Sequence, residues 1–189
     1  MKRIVYLVRH GDVENPRGVI YGQLPGFGLS EQGRAEARSA GTYLLGRDVG
    51  KVIVSPMLRT CQTAEILCDV IKRDFTVDPR LTEIHSPLEG KKWLNAMLPH
   101  NLLRWARRRE PDGVVADRLV AALGDALGGH QREVVLVSHG GCILVLAHAL
   151  RDRRVPTWAH LGVCPTGSIT TLAIDDSSLP VSSSEARYA

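Results

Sequence analysis

The hydrophobic residues of this chain fall into short apolar runs, separated by segments with helical spacing. Short apolar runs bounded by turn residues are typical of buried β-strands. Runs of this kind predict strands at 2–8, 51–54, 75–77, 134–138 and 168–174. The first run is apolar on both faces, which predicts that its strand lies at the centre of a parallel sheet.

Capping residues indicate where the helices between these strands begin and end. Ser30 is a good N-cap, and Gly46 is placed to end the helix that Ser30 starts. Ser55-Pro56 has the pattern of an N-cap followed by a first helical residue, and the helix is expected to continue to Ile71. The pattern therefore predicts a helix after each of the first two strands.

The rest of the chain completes an alternation of strands and helices. An amphipathic helix is predicted at 112–127, and the helix at 140–150 is apolar nearly all round, so we expect it to be buried. Two short helices are predicted to form a small helical cap, an insertion at about 84–111. We expect an α/β fold, a three-layer α/β/α sandwich with a mostly parallel central sheet. Residues 1–175 are expected to form one domain, followed by a flexible tail at 176–189.

Composition adds three limits to this picture. The chain has 189 residues and a formal net charge of +4, which suits a small anionic substrate better than a nucleic acid. It begins Met-Lys-Arg with no signal-peptide pattern, and no apolar run reaches bilayer length. The four cysteines form no C-x-x-C pair and lack metal-ligand spacing. We expect reduced cysteines and a cytoplasmic location.

Two of the predicted strands end in the dipeptide His-Gly. His10 follows Arg9 at the end of the first strand, and His139 ends the strand at 134–138. Because ligand sites of open α/β sheets lie at the carboxyl ends of the strands, we expect the two imidazoles to share a pocket. An imidazole whose other nitrogen is held is a good nucleophile at neutral pH, and Gly11 allows the backbone to approach a bound group closely.

Arginines and helix N-termini accompany these histidines. Arg59 lies early in the helix after the second strand, and Arg9 precedes His10. Guanidinium groups and helix N-termini both attract oxyanions. Two arginines, two histidines and two helix N-termini therefore predict a concentrated anion site.

These features occur as ordered motifs that resemble the histidine phosphatase superfamily, which has the phosphoglycerate-mutase-like fold. The motifs span most of the chain and are Leu7-Val8-Arg9-His10-Gly11, Ser55-Pro56-x-x-Arg59-Thr60-x-Gln62-Thr63, Leu81-Thr82-Glu83-Ile84 and Val137-Ser138-His139-Gly140-Gly141. Any one motif is weak, whereas the full set in this order is specific.

The resemblance implies a mechanism without a metal or cofactor. His10 would attack phosphorus and become phosphohistidine, while Arg9, Arg59 and His139 would hold the phosphoryl oxygens. Glu83 would protonate the leaving oxygen and then activate water.

Other carboxylates leave the identity of the proton donor open. Glu89 resembles a family element six residues after Glu83, and Asp12 directly follows the nucleophile motif. The resemblance further implies substrate contacts for four residues, which are Gly11, Asn15, Gln23 and Gly140. The loop at 21–27 departs from the family pattern, so the substrate is not identified by the sequence.

The basic and aromatic residues of the cap have two interpretations. Arg107, Arg108 and Arg109 would either grip a second acidic group of the substrate or form a solvated helix end. Trp93 and Trp105 would either pack within the cap or stack on a substrate ring.

Hydrolysis of a small phosphorylated metabolite is the function we expect. A mutase that passes the phosphoryl group between hydroxyls is the alternative, although the mutases that this chain resembles are longer. A noncatalytic phosphate-binding module and a nucleic-acid binder are further alternatives. The scarcity of aromatic residues argues against the nucleic-acid binder. We expect no nucleic-acid or membrane partner and a monomer or homodimer.

Overall fold

A computed structural model describes residues 2–128, 131–152, 164–175 and 187–188. The strands are β1 (Lys2–Arg9), β2 (Val49–Val54), β3 (Thr76–Val77), β4 (Glu133–Ser138), β5 (Ile169–Asp175) and β6 (Arg187–Tyr188). The helices are α1 (Glu31–Leu44), α2 (Leu58–Ile71), α3 (Trp93–Ala96), α4 (Pro99–Arg108), α5 (Asp112–Leu127) and α6 (Gly140–Asp152), with a 3₁₀ turn at Pro79–Leu81. Apart from 187–188, the expected tail at 176–189 lies outside the described residues.

The sheet has the mostly parallel arrangement that the sequence predicts. Its strand order is β3-β2-β4-β1-β5-β6, so that β4 and β1 lie at its centre. The pairs β1–β4, β2–β4 and β2–β3 are parallel, whereas β5 pairs antiparallel with β1. The carboxyl ends of β1, β2 and β4 therefore meet at one edge of the sheet.

Helices cover both faces of this sheet, which confirms the three-layer sandwich. Successive side chains of a strand point to opposite faces. In β1, Val5 and Leu7 pack in the core cluster formed with α5 and α6, whereas Tyr6 and Val8 pack with α1 and α2. The apolar run at 4–8 within β1 follows from this burial on both sides.

The cap consists of two short helices, as the sequence predicts. Its helices α3 and α4 bury the side chains of Ala96 and Asn101 and leave several large apolar side chains exposed. An isolated β-bridge joins Val19 of the loop after β1 to Lys92. The cap therefore lies against the loop that follows β1.

The helix boundaries confirm one capping prediction and correct another. The Ser30 hydroxyl accepts a hydrogen bond from the backbone N–H of Gly33, and Gly46 adopts φ +81° just after α1. The second helix, however, begins at Leu58 with Met57 as its N-cap, and not at Ser55-Pro56. The Ser55 hydroxyl instead lies 2.8 Å from Nε2 of His139, the residue that follows β4, and caps no helix.

Two further observations concern bilayers and cysteines. Within the described ranges, no helix combines the length and apolarity needed to span a membrane. The cysteines Cys61, Cys68, Cys142 and Cys164 are all unpaired.

A contact between two glycines fixes the loop after β1 onto the start of α1. A Cβ atom on Gly11 would lie 2.3 Å from the carbonyl oxygen of Gly33, and a Cβ on Gly33 would lie 2.0 Å from that of Asp12. The Gly11 N–H donates to Thr63 Oγ1 in α2 at 3.1 Å. Gly11 thus serves close packing between backbone segments, directly beside His10.

We expect Gly33→Ala to lower the free energy of unfolding by about 1–3 kcal/mol, because the added methyl group has to displace backbone atoms. Gly124→Ala in α5 is the matched control, since nothing lies within 4 Å of its added Cβ. Alanine in that open helical position should raise stability by up to about 1 kcal/mol. Urea unfolding of both variants measures the difference, and equal effects would contradict the packing argument.

Candidate active site

The fold places His10 and His139 side by side. Strands β1 and β4 pair in parallel with Arg9 opposite Ser138, so the residue after each strand reaches the same edge of the sheet. The backbone N–H of His10 donates to the Ser138 carbonyl at 3.0 Å, and the two imidazole centroids lie 5.3 Å apart. Both rings are at most 1% exposed. The two imidazoles therefore lie together at the sheet edge, as their positions after β1 and β4 predict.

A single hydrogen bond determines which nitrogen of His10 is available. Its Nδ1 lies 2.8 Å from the carbonyl oxygen of Gly11, which only accepts, so Nδ1 carries the proton. Burial lowers the pKa of His10 to about 3, and the nearby charge of Arg59 contributes. The ring is therefore neutral at pH 7, with its lone pair on Nε2.

Ser55 and Arg59 hold the ring of His139 from opposite sides. Arg59 Nη2 donates to His139 Nδ1 at 3.2 Å, so Nε2 carries the proton and donates to Ser55 Oγ at 2.8 Å. Burial lowers the pKa of His139 well below its usual value, and the charge of Arg59 adds to this effect. Sequence reasoning missed this role of Ser55, although its place at the end of β2, next to β4, was a usable signal.

The guanidinium group of Arg59 is fully buried. Its Nη2 also donates to the carbonyl oxygen of Gly22 at 2.8 Å, and its Cζ lies 4.8 Å from the ring centroid of Tyr21. Its Nε is buried without a hydrogen-bond partner in the described part of the chain. A buried donor without a partner is costly, and an oxyanion would satisfy it.

Arg9 has contacts similar to those of Arg59. Its Nη1 donates to the carbonyl oxygen of Cys164, and its Nε is likewise buried and unpaired among the described residues. Gly140 lies against it, since a Cβ there would be 3.2 Å from Arg9 Nε. The site thus holds two cations, each with an unused N–H.

Glu83 is the carboxylate closest to these groups. Its Oε2 lies 3.7 Å from His139 Nδ1, and its Oε1 accepts the backbone N–H of Ile84 at 2.9 Å. Burial raises the pKa of Glu83 despite the opposing effects of that N–H and the arginines. A carboxyl group with a raised pKa beside an anion pocket is suited to donate a proton.

The two other candidate carboxylates hold backbone or hydroxyl groups. Glu89 Oε1 accepts the N–H groups of Gln23 at 3.1 Å and Ser86 at 3.3 Å. Asp12 Oδ2 accepts the hydroxyl of Ser30 at 2.6 Å, at the start of α1. Glu83 differs from both in that its Oε2 lies 3.7 Å from His139 Nδ1, which favours it as the proton donor.

The remaining residues expected at the substrate use their hydrogen-bonding groups inside the protein. The Asn15 amide bonds the backbone of Val19 through both its nitrogen and its oxygen, at 2.9 and 3.2 Å. Gln23 Nε2 donates to the carbonyl oxygen of Glu83 at 2.7 Å, while Gly11 and Gly140 pack as described above. These residues shape the loop and the pocket, and their direct contact with substrate stays a prediction.

A cavity of about 560 Å³ opens between the loop, the cap and the sheet edge. Its lining includes Arg9, Glu83 and Gly141 of the sheet edge, and the aromatic residues Tyr21, Trp93 and Trp105. Among the described residues, no group of three or more His, Cys, Asp or Glu side chains is placed to hold a metal ion.

The cap arginines have separate environments. Arg107 and Arg108 are exposed in the last turn of α4, which agrees with a solvated helix end. Arg109 instead pairs with Asp112 at the start of α5, with Nη1–Oδ1 at 2.5 Å and Nη2–Oδ2 at 3.0 Å. Trp93 is 65% exposed, so packing within the cap does not account for it.

The fold of this chain is shared with a known class of enzymes. The sequence model of the histidine phosphatase superfamily (branch 1) matches residues 5–185. The chain therefore belongs to the histidine phosphatase superfamily, as its motifs suggest. Members of this class are phosphatases or phosphoglycerate mutases.

Named relatives within the superfamily fall into both groups. Glucosyl-3-phosphoglycerate phosphatase of Mycolicibacterium vanbaalenii is 33% identical, over 92% of this chain and 84% of the relative. Probable phosphoglycerate mutase GpmB of Proteus mirabilis is 34% identical, over 74% of this chain and 72% of the relative. A solved structure titled Mycobacterial hydrolase 1 superposes with a TM-score of 0.85, at 27% identity, covering 99% of this chain and 97% of that one.

The neutral state of His10 predicts a pH-dependent stability. Between pH 6.5 and about 3, the unfolded chain binds a proton at His10 that the folded chain does not. The free energy of unfolding should therefore fall on acidification, by about 1.4 kcal/mol per pH unit for this group. The raised pKa of Glu83 acts in the opposite direction above pH 4.5, because the folded chain retains that proton.

Comparison of variants isolates the contribution of His10. His10→Gln should remove about 1.4 kcal/mol per pH unit from the slope, as measured by urea unfolding at several pH values between about 4 and 6.5. His100→Gln, which removes an exposed imidazole of α4, is the matched control. An unchanged slope in His10→Gln would show that His10 is not held neutral by burial.

Proposed function

We propose that this protein is a phosphomonoesterase that hydrolyses a small phosphorylated metabolite through a phosphohistidine on His10. The observation that carries the proposal is the neutral imidazole of His10, with its lone pair on Nε2, near two arginines that each keep a buried, unpaired Nε–H among the described residues. A nucleophile of this kind next to an anion site fits attack on phosphorus. A cytoplasmic location and a monomeric or homodimeric state stay predictions.

The first chemical step forms a bond between His10 Nε2 and phosphorus. As this bond forms, the bond from phosphorus to the leaving oxygen breaks, and Glu83 transfers its proton to that oxygen. Arg9 and Arg59 donate to the equatorial phosphoryl oxygens, whose charge they offset. The bound dianion favours protonation of His139 at Nδ1, which lets this ring donate to a phosphoryl oxygen as well.

The second step returns the enzyme to its starting state. The Glu83 carboxylate takes a proton from water, and the water oxygen bonds to phosphorus. The P–N bond then breaks, which restores the lone pair of His10 Nε2 and releases inorganic phosphate. Glu83 thus acts first as general acid and then as general base, for which a pKa raised by burial is suited.

A mutase is the second candidate, and the GpmB relative is the observation that favours it. In that reaction the phosphoryl group passes from His10 to a second hydroxyl instead of water. Production of 2-phosphoglycerate from 3-phosphoglycerate and bisphosphoglycerate, without phosphate release, would support it. Our proposal of hydrolysis expects phosphate release in the same assay.

Hydrolysis of p-nitrophenyl phosphate in excess EDTA tests the proposed nucleophile. We expect the wild type to retain its activity, and His10→Ala to lose at least about a thousandfold in kcat. His100→Ala, which removes an exposed imidazole, serves as the control and should behave as the wild type. Activity that survives in His10→Ala, or that chelation abolishes and a metal restores, would contradict the mechanism.

The leaving group determines how much Glu83 is needed. With alkyl phosphates, Glu83→Gln should lower kcat by about 10²–10⁴-fold, whereas p-nitrophenyl phosphate should be affected far less because its leaving group needs little protonation. In the wild type, kcat for alkyl phosphates should decline as the pH rises through the raised pKa of Glu83, and this decline should be absent in Glu83→Gln. Glu89→Gln is the matched variant, and the same pattern there would transfer the role to Glu89.

A further inference from the structure

The cavity beside the phosphate site has predominantly aromatic and aliphatic walls. The residues that line it include the aromatic Tyr21, Trp93 and Trp105 and the aliphatic Val19, Ile20 and Ile84. These walls come from the loop after β1 and from the cap, which are joined by the bridge between Val19 and Lys92. A leaving group attached to the phosphoryl oxygen would occupy this space.

The cations that line the cavity, among the described residues, are Arg9 and Arg109. Arg9 belongs to the phosphate site described above. Arg109 forms a bidentate ion pair with Asp112, and the two side chains are only 9% and 3% exposed. Because breaking a buried ion pair is costly, Arg109 is a poor partner for a second anion, which would also meet the charge of Asp112.

The same arginine supports an aromatic wall of the cavity. Its Cζ lies 5.0 Å from the ring centroid of Trp105, within the range of a cation–π contact. Asp112 therefore holds Arg109, and Arg109 packs on Trp105. In this way the charge of Arg109 is used to position a ring instead of being offered to the substrate.

We propose that the substrate is a phosphate monoester whose leaving group is uncharged and carries an aromatic or bulky apolar ring. This inference rests on the proposed phosphatase function and names the substrate class of the same site. Rings of the leaving group would pack against Trp93 and Trp105, whereas a carboxylate or second phosphate would find no available cation among the described cavity residues. The lack of a cation for a carboxylate also disfavours phosphoglycerate as a substrate, and with it the mutase reaction.

Three substrates with primary alcohol leaving groups test the proposal. Benzyl phosphate presents a neutral ring, 4-carboxybenzyl phosphate adds an anion to the same ring, and glycerol 1-phosphate lacks a ring. We expect kcat/KM for benzyl phosphate to exceed both of the others by about tenfold or more. A preference for 4-carboxybenzyl phosphate or glycerol 1-phosphate, with phosphohistidine still formed, would overturn this inference and leave the phosphatase proposal standing.

Variants of the cavity make the test specific. Trp93→Ala and Trp105→Ala should lower the preference for benzyl over glycerol phosphate by about fivefold or more, and an unchanged preference in both would overturn the inference. Trp93 is largely exposed, so its variant is expected to fold. Leu94→Ala, at an 81% exposed neighbour outside the cavity lining, is the matched control.

Asp112→Asn provides a gain of function. Removing the carboxylate leaves the charge of Arg109 without its Asp112 counter-ion, so kcat/KM for 4-carboxybenzyl phosphate relative to benzyl phosphate should rise about tenfold. A folded Asp112→Asn variant with an unchanged ratio would show that the ion pair does not set specificity. If no ester is hydrolysed and no phosphohistidine forms in the wild type, the proposed function fails and this inference fails with it.

Discussion

The site depends on two arginines, Arg9 and Arg59, whose Nε–H groups are buried at one edge of a parallel sheet. Arg9 and Arg59 retain buried N–H groups that no described residue satisfies. A buried donor without a partner is costly, so a fold that keeps two such cations near His10 is suited to a ligand of opposite charge. The carboxyl ends of β1 and β2 bring them together, and the surrounding sandwich maintains their positions.

These cations and the burial around them set the protonation of every neighbouring group. Burial and the charge of Arg59 keep His10 neutral, which makes its Nε2 a nucleophile. Burial also raises the pKa of Glu83, although the arginines act against it. A phosphoryl dianion would offset the cations, and would thereby favour a protonated Glu83 and a charged His139 at the moment when both are needed.

The sequence predicts the parts of the molecule in which local pattern and tertiary structure agree. The apolar centre of β1 and the amphipathic helix α5 were predicted because burial on two faces or on one face leaves a clear spacing. Ser55 was misinterpreted because Ser-Pro is a common helix start, whereas its partner in the structure, His139, lies 84 residues away. The pairing of Arg109 with Asp112 was likewise hidden, since it joins the end of the cap to the start of α5.

The most direct test of this account is the atom that becomes phosphorylated. The wild type would be mixed with substrate, denatured rapidly in alkali to preserve phosphoramidate bonds, and analysed by peptide mass spectrometry and phosphorus NMR. The account predicts a phosphoryl group on Nε2 of His10, because Nδ1 is held by the Gly11 carbonyl. Phosphorylation of Nδ1 or of His139, or turnover with no phosphohistidine at all, would contradict it.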